Sequence, residues 1–130
     1  GISFAKETVD VTNIRIGATE ELTRIIFDLS GPINVERKTP LIANQHELIL
    51  ENIRFIKSIE DLDFSHSFIE SLQLNTLENK QKTKDQNRFQ LTILGKLQSK
   101  ISIKSLPPST FYSNRLVLNF EKNNAALIEN

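Results

Sequence analysis

The chain has 130 residues, 38% of them hydrophobic, with 16 Lys plus Arg against 16 Asp plus Glu; that length suits one domain with its own core and leaves no room for a second. Zero formal net charge removes the global field that draws in polyanions, so nucleic acid is not expected as a partner. No run approaches the roughly 18 apolar residues of a membrane span, and the absence of Cys excludes disulfides and thiolate metal sites.

Gly1-Ile2-Ser3 lacks the basic-then-apolar pattern of a secretory signal, so the chain is expected to be a processed or trimmed fragment. Val9 and Val11 lie on one strand parity and Ile14 and Ile16 on the other, which predicts either a break near Asn13 or a bulge that shifts register. The clearest strand is Arg24-Ile25-Ile26-Phe27-Asp28-Leu29, with Ile25, Phe27 and Leu29 facing the core and Arg24, Ile26 and Asp28 facing solvent. Ser30-Gly31-Pro32 ends it in a turn, because Gly permits unusual φ and Pro cannot donate to a ladder. A strand over residues 33–38, a break at Thr39-Pro40, and a strand over 46–52 follow; in the last, Leu48 and Leu50 alternate with Glu47, Ile49 and Glu51.

Ser58 followed by Glu60 and Asp61 fits an N-cap with acids in the first turn, so a short helix is expected there. The polar stretch 78–85 reads as a mobile loop, and residues 123–130 as a tail or the start of a linker.

The pattern occurs twice. Thr23 to Gly31 reads TRIIFDLSG and Asn87 to Gly95 reads NRFQLTILG; Ile14-Arg15-Ile16 matches Leu72-Gln73-Leu74, and Glu47-Leu48-Ile49-Leu50 matches Arg115-Leu116-Val117-Leu118. One such unit leaves its apolar face in water, whereas two packed face to face close a core. The expectation is therefore all-β: a sandwich of two antiparallel sheets built from two similar β repeats, about 8–53 and about 68–121, in one domain spanning 1–122, with a short helix, if any, between them.

Ile14-Arg15-Ile16-Gly17, then Thr23 to Pro32, then Glu47-Leu48-Ile49-Leu50-Glu51-Asn52 resemble in order the "I-R-V-G", "T-R-V-V-F-D-L" and "R-L-V-I-D-L" strands of the AMIN family. That family stands at the N-terminus of periplasmic N-acetylmuramoyl-L-alanine amidases and in secretins of type IV pili. The resemblance implies a periplasmic location, a β-sandwich, attachment to peptidoglycan, and, where the parent protein is an amidase, a zinc site on another part of it. Two departures, Glu47 for the Arg of the third strand and Thr92 for the Asp of the second copy, leave open whether the copies are equivalent.

Arg15, Arg24 and Asp28 in the first copy, and Arg88 and Arg115 in the second, fall on solvent faces. Outward Arg forks can bind glycan hydroxyls, acetamide carbonyls or stem-peptide carboxylates. The competing reading pairs Arg24, Asp28, Glu47 and Glu51 with one another as cross-strand ion pairs of about 0.2–1 kcal/mol each. No nucleophile–base pair is visible, and neither His46 nor His66 has ligand spacing, so no enzyme, metal or cofactor is expected. Asp61-Leu62-Asp63 lacks the Gly and terminal Glu of a calcium loop, and the dispersed glycines exclude a phosphate-cradling loop. Phe111 and Tyr112, beside Pro107-Pro108, fit either sugar stacking or a plug over the end of the sandwich, and stay outside the candidate set.

The functional expectation is a non-catalytic peptidoglycan-binding module that targets a larger envelope protein to the cell wall. The alternative is a protein-interaction module in an envelope assembly such as a type IV pilus secretin, using a strand edge. Oligomeric state is not specified by these patterns.

Overall fold

The computed structural model describes residues 8–39, 42–77 and 87–122; the expected loop over 78–85 and the expected tail over 123–130 lie outside the described residues. Among the described residues there are nine strands: β1 (Val9–Ala18), β2 (Leu22–Leu29), β3 (Val35–Lys38), β4 (Gln45–Glu51), β5 (Ile53–Phe55), β6 (Ile69–Leu77), β7 (Arg88–Gly95), β8 (Ser99–Leu106) and β9 (Asn114–Lys122). They form a five-stranded sheet in the order β5-β1-β2-β9-β8, here sheet A, and a four-stranded sheet in the order β3-β4-β7-β6, here sheet B. Every pairing is antiparallel except β1 with β5.

The two-repeat plan is present with its hairpins exchanged between sheets. β1-β2 lies in sheet A and β3-β4 in sheet B, whereas β6-β7 lies in sheet B and β8-β9 in sheet A. Each sheet thus holds one hairpin from each half of the chain, and neither half buries its apolar face alone. Phe27 pairs with Ile14 and Leu116, and Leu91 pairs with Leu74 and Leu48, so the first strands correspond through Ile14 and Leu74. The sequence match of Ile14 with Leu72 is displaced by two residues. A shift of two preserves which face each side chain takes, so alternation cannot detect it; hydrogen-bond register and the bulges decide it.

The parity expected for β2 is correct: Ile25, Phe27 and Leu29 are buried with Leu116, Leu118 and Phe120 of β9, against Leu48, Leu50, Leu91 and Ile93 of sheet B. His46 against Phe120, ring centroids 5.7 Å apart, and Phe55 edge-on to Phe89 at 6.3 Å tie the sheets together. The parity change near Asn13 is a bulge in one continuous strand, with the register shifting between Val11 and Asn13. Ile49 keeps its outward parity yet is almost fully buried, because it occupies a central strand between Glu36 and Gln90, its Cα partners on either side.

Asn52 adopts a left-handed conformation, φ 56°, which Asn tolerates better than most residues, and it turns the chain from β4 into β5. There Arg54 grips Asp10 of β1 through two hydrogen bonds of 2.9 and 3.2 Å. The opposite side of β5 is met by Asn87, whose Oδ1 accepts from Ile53 N at 3.0 Å and whose Nδ2 donates to Ile53 O at 2.8 Å. The expected short helix is a single 3-10 turn, Ile59–Asp61, with the Ser58 hydroxyl accepting from Glu60 N. No helix among the described residues is long and apolar enough to cross a membrane.

His46 is buried, its Nδ1 has no hydrogen-bond partner, and its Nε2 lies 3.4 Å from the Ser99 hydroxyl. Burial, reinforced by the charge of Arg37, pulls its pKa below the ordinary 6.5. The unfolded chain therefore takes up this proton at a higher pH than the folded one. The neutral imidazole contributes stability above about pH 6.5, and that contribution is lost progressively as pH falls from there toward the lower folded-state value. Urea unfolding should show a midpoint that drops between pH 7.5 and pH 5, with a smaller drop in His46→Gln; equal drops in both proteins would remove His46 as the cause.

Candidate functional site

Strand alternation and the register of sheet A place a polar array on its outer face. Three cross-strand rows run over β1, β2, β9 and β8: Asn13-Asp28-Arg115-Leu106, Arg15-Ile26-Val117-Lys104, and Gly17-Arg24-Asn119-Ser102. Four of the five sequence candidates, Arg15, Arg24, Asp28 and Arg115, therefore share one face. Arg88 does not: it lies on the outer face of sheet B, with its Nε 3.4 Å from Glu51.

The rows hold four cations against one carboxylate. Arg15 clamps Asp28 through both carboxylate oxygens, Nε to Oδ2 at 3.0 Å and Nη2 to Oδ1 at 2.9 Å. This bidentate geometry is the strong form of the pair, and it uses both Asp28 oxygens. Arg24 is exposed and donates from Nε to Asn119 Oδ1 at 2.7 Å. The pairing of Arg24 and Asp28 with Glu47 and Glu51, offered by sequence as the plain structural role, is corrected: the first two lie in sheet A and the last two in sheet B, so Asp28 and Glu51 find Arg15 and Arg88 instead.

Arg115 stands opposite Asp28 across β2 and β9 but makes no hydrogen bond or ion pair among the described residues, and its Nε is buried without a partner. An unsatisfied buried donor costs about 1–3 kcal/mol. Its guanidinium lies 4.6 Å from the centre of the Tyr112 ring, with Arg15 at 5.9 Å from the same ring, a cation–π arrangement. The plug expected as one role for Phe111 and Tyr112 does not form. Tyr112 remains 50% exposed and Phe111 88% exposed, so both present ring surface to solvent, and Tyr112 does so beside the cations. Next to them a cleft of about 240 Å³ is lined by Leu29, Pro32, Ile33, Ser105, Leu106, Pro107, Asn114 and Arg115.

Tyr112, Lys104 and Asn119 are the residues that sequence reasoning leaves out of this site. The signal for Tyr112 was its place as the single tyrosine beside Pro107-Pro108; nothing in the pattern brings it back over Arg115, since that depends on the path of the loop between β8 and β9. Elsewhere Asp63 is engaged in its own turn, accepting from Ser65 N at 2.9 Å, and hydrogen bonding to Ser65, through its side chain first and its backbone second, holds the carboxyl below the usual range. Among the described residues no group of three His, Cys, Asp or Glu is placed to hold a metal ion.

No protein-family model matches the chain, and no curated protein matches it.

Proposed function

We propose that this chain is a non-catalytic binding module, similar to the AMIN domain, that attaches a larger envelope protein to peptidoglycan in the periplasm through the outer face of sheet A. The observation that carries this reading is the convergence of Arg15, Arg24, Asp28 and Arg115 with Tyr112 on one sheet face of a protein whose formal net charge is zero. A broad face with Arg forks, an amide at Asn119 and an exposed aromatic suits an extended polymer of amino sugars and peptides, which offers carbonyls, hydroxyls, carboxylates and apolar ring faces. The strand order of the AMIN resemblance supports the same reading.

The test is co-sedimentation with purified peptidoglycan sacculi. The chain should pellet with them, and Arg24→Ala should reduce pelleting while changing unfolding free energy by no more than about 0.5 kcal/mol, as expected of a surface site. A folded protein left wholly in the supernatant would remove the cell-wall reading. The alternative, a protein-interaction module, draws on β8 and β6, eight and nine residues long, which stand at sheet edges and present the backbone groups that a partner strand pairs with.

A further inference from the structure

The internal repeat provides a comparison within the molecule, because the same strand framework is built twice with different side chains on its outer face. Register equates Arg15 with Asn75, Arg24 with Arg88, Asp28 with Thr92, Arg115 with Glu47, Asn119 with Glu51 and Lys104 with Glu36. The sheet A rows carry four cations and one carboxylate; the matching sheet B positions, with Lys38 answering to Leu106, carry two cations and three carboxylates. Asn44 stands three residues before Glu47, as Tyr112 stands three before Arg115, so sheet B places no aromatic at that position. The backbone is duplicated, but among these positions the excess of positive charge and the aromatic ring belong to the sheet A face.

Within that face the groups are not equally available. Arg15 and Asp28 satisfy each other, and Arg24 is engaged with Asn119. Arg115 alone among these arginines has no acceptor among the described residues, although it lies between a half-exposed Tyr112 and the apolar walls of the adjoining cleft. The Tyr112 ring covers one side of the guanidinium carbon at 4.6 Å, whereas the N–H groups that a planar carboxylate engages bidentately, the unpartnered Nε among them, lie in the guanidinium plane. Charge-assisted bonds of that kind are roughly twice as strong as those to neutral hydroxyls or amides, and the surplus of positive charge around it disfavours a neutral occupant's displacing water for little gain.

We propose that Arg115 is the carboxylate-recognising residue of the sheet A face, that its ligand is a carboxylate-bearing amino-sugar glycan rather than a neutral one, and that each chain holds one such site. This rests on the cell-wall reading above and narrows it: the anionic groups of the polymer, not its hydroxyls, are what the face selects, with the ring of Tyr112 lying against the sugar.

Tyr112 is the only tyrosine and the chain has no Trp, so its fluorescence reports on this site alone. The full chain is titrated with a muramyl dipeptide, with the same compound carrying its carboxyl as an amide, and with a neutral chito-oligosaccharide. In parallel it is sedimented with native sacculi and with sacculi whose carboxylates have been amidated. The acid should change Tyr112 emission with one-site stoichiometry, and the amide and the neutral sugar should bind about ten-fold more weakly or worse. Arg115→Gln should abolish the preference for the acid, and Arg115→Lys, which keeps the charge and loses the fork, should retain part of it. Glu47→Gln on the opposite face should leave it unchanged.

Equal pelleting with native and amidated sacculi would overturn carboxylate selection while leaving attachment to the wall intact. No pelleting with either would remove both readings. Two ligands per chain, or a preference undisturbed in folded Arg115→Gln and Arg115→Lys, would refute the assignment to this residue.

Discussion

Phe27→Ala is expected to lower the unfolding free energy by about 3–5 kcal/mol, the usual cost of emptying a core aromatic. Phe27 is 1% exposed and lies between Ile14 of β1 and Leu116 of β9 in the middle of sheet A, facing the residues of sheet B. The surrounding strands are hydrogen-bonded on both sides and cannot collapse freely into the space, so lost burial and residual cavity both count against the variant. Ile26→Ala, one residue away on the outer face, should cost much less, because Ile26 is only half-buried and water fills its place. Urea unfolding followed by circular dichroism separates the two. Similar losses in both variants would mean that the alternation of β2 does not control its energetics.

Asn87→Ala should be the second large loss, and it arises from hydrogen bonding rather than packing. The Asn87 side chain acts as a short piece of neighbouring strand for Ile53, accepting from its N–H and donating to its C=O. Ile53 is fully buried, so truncation leaves a donor and an acceptor without partners, each costing about 1–3 kcal/mol. Asn87→Asp keeps the acceptor but turns a carboxylate oxygen toward the Ile53 carbonyl, and should not rescue the fold. Hydrogen exchange gives the local reading: the Ile53 amide should exchange much faster in Asn87→Ala than in the parent protein. An unchanged rate at Ile53 would show that β5 is held by its pairing with β1 and the Arg54–Asp10 fork alone.

The candidate site illustrates how far periodicity reaches. Alternation in β2 and β9 puts Arg24, Asp28 and Arg115 outward, because side chains on a strand must alternate whatever the strand pairs with. Alternation does not say which strands are neighbours. Arg88 has the same outward parity as Arg24 and stands at the matching point of its own copy, yet the exchange of hairpins carries it to the other sheet, where its partner is Glu51. Whether two outward arginines form one site or two is therefore a question of topology. The same exchange separates Arg24 and Asp28 from Glu47 and Glu51, which a simple meander would have made plausible partners.

What the sequence by itself determined was the all-β class, the inward set Ile25, Phe27 and Leu29, the duplication, the irregularity near Asn13 and the capped turn at Ser58. The duplication is read by comparing the two halves of the chain, and the rest follow from local rules of strand period, turn chemistry and capping, which operate over a few residues. Only the tertiary structure decided the register of β6, the burial of Ile49, the parallel addition of β5 beside β1, and the meeting of Arg15, Asp28, Arg115 and Tyr112 on one face. These depend on contacts between residues far apart in the chain, and a shift of two residues or an exchange of equivalent strands leaves every local preference satisfied while changing which side chains touch.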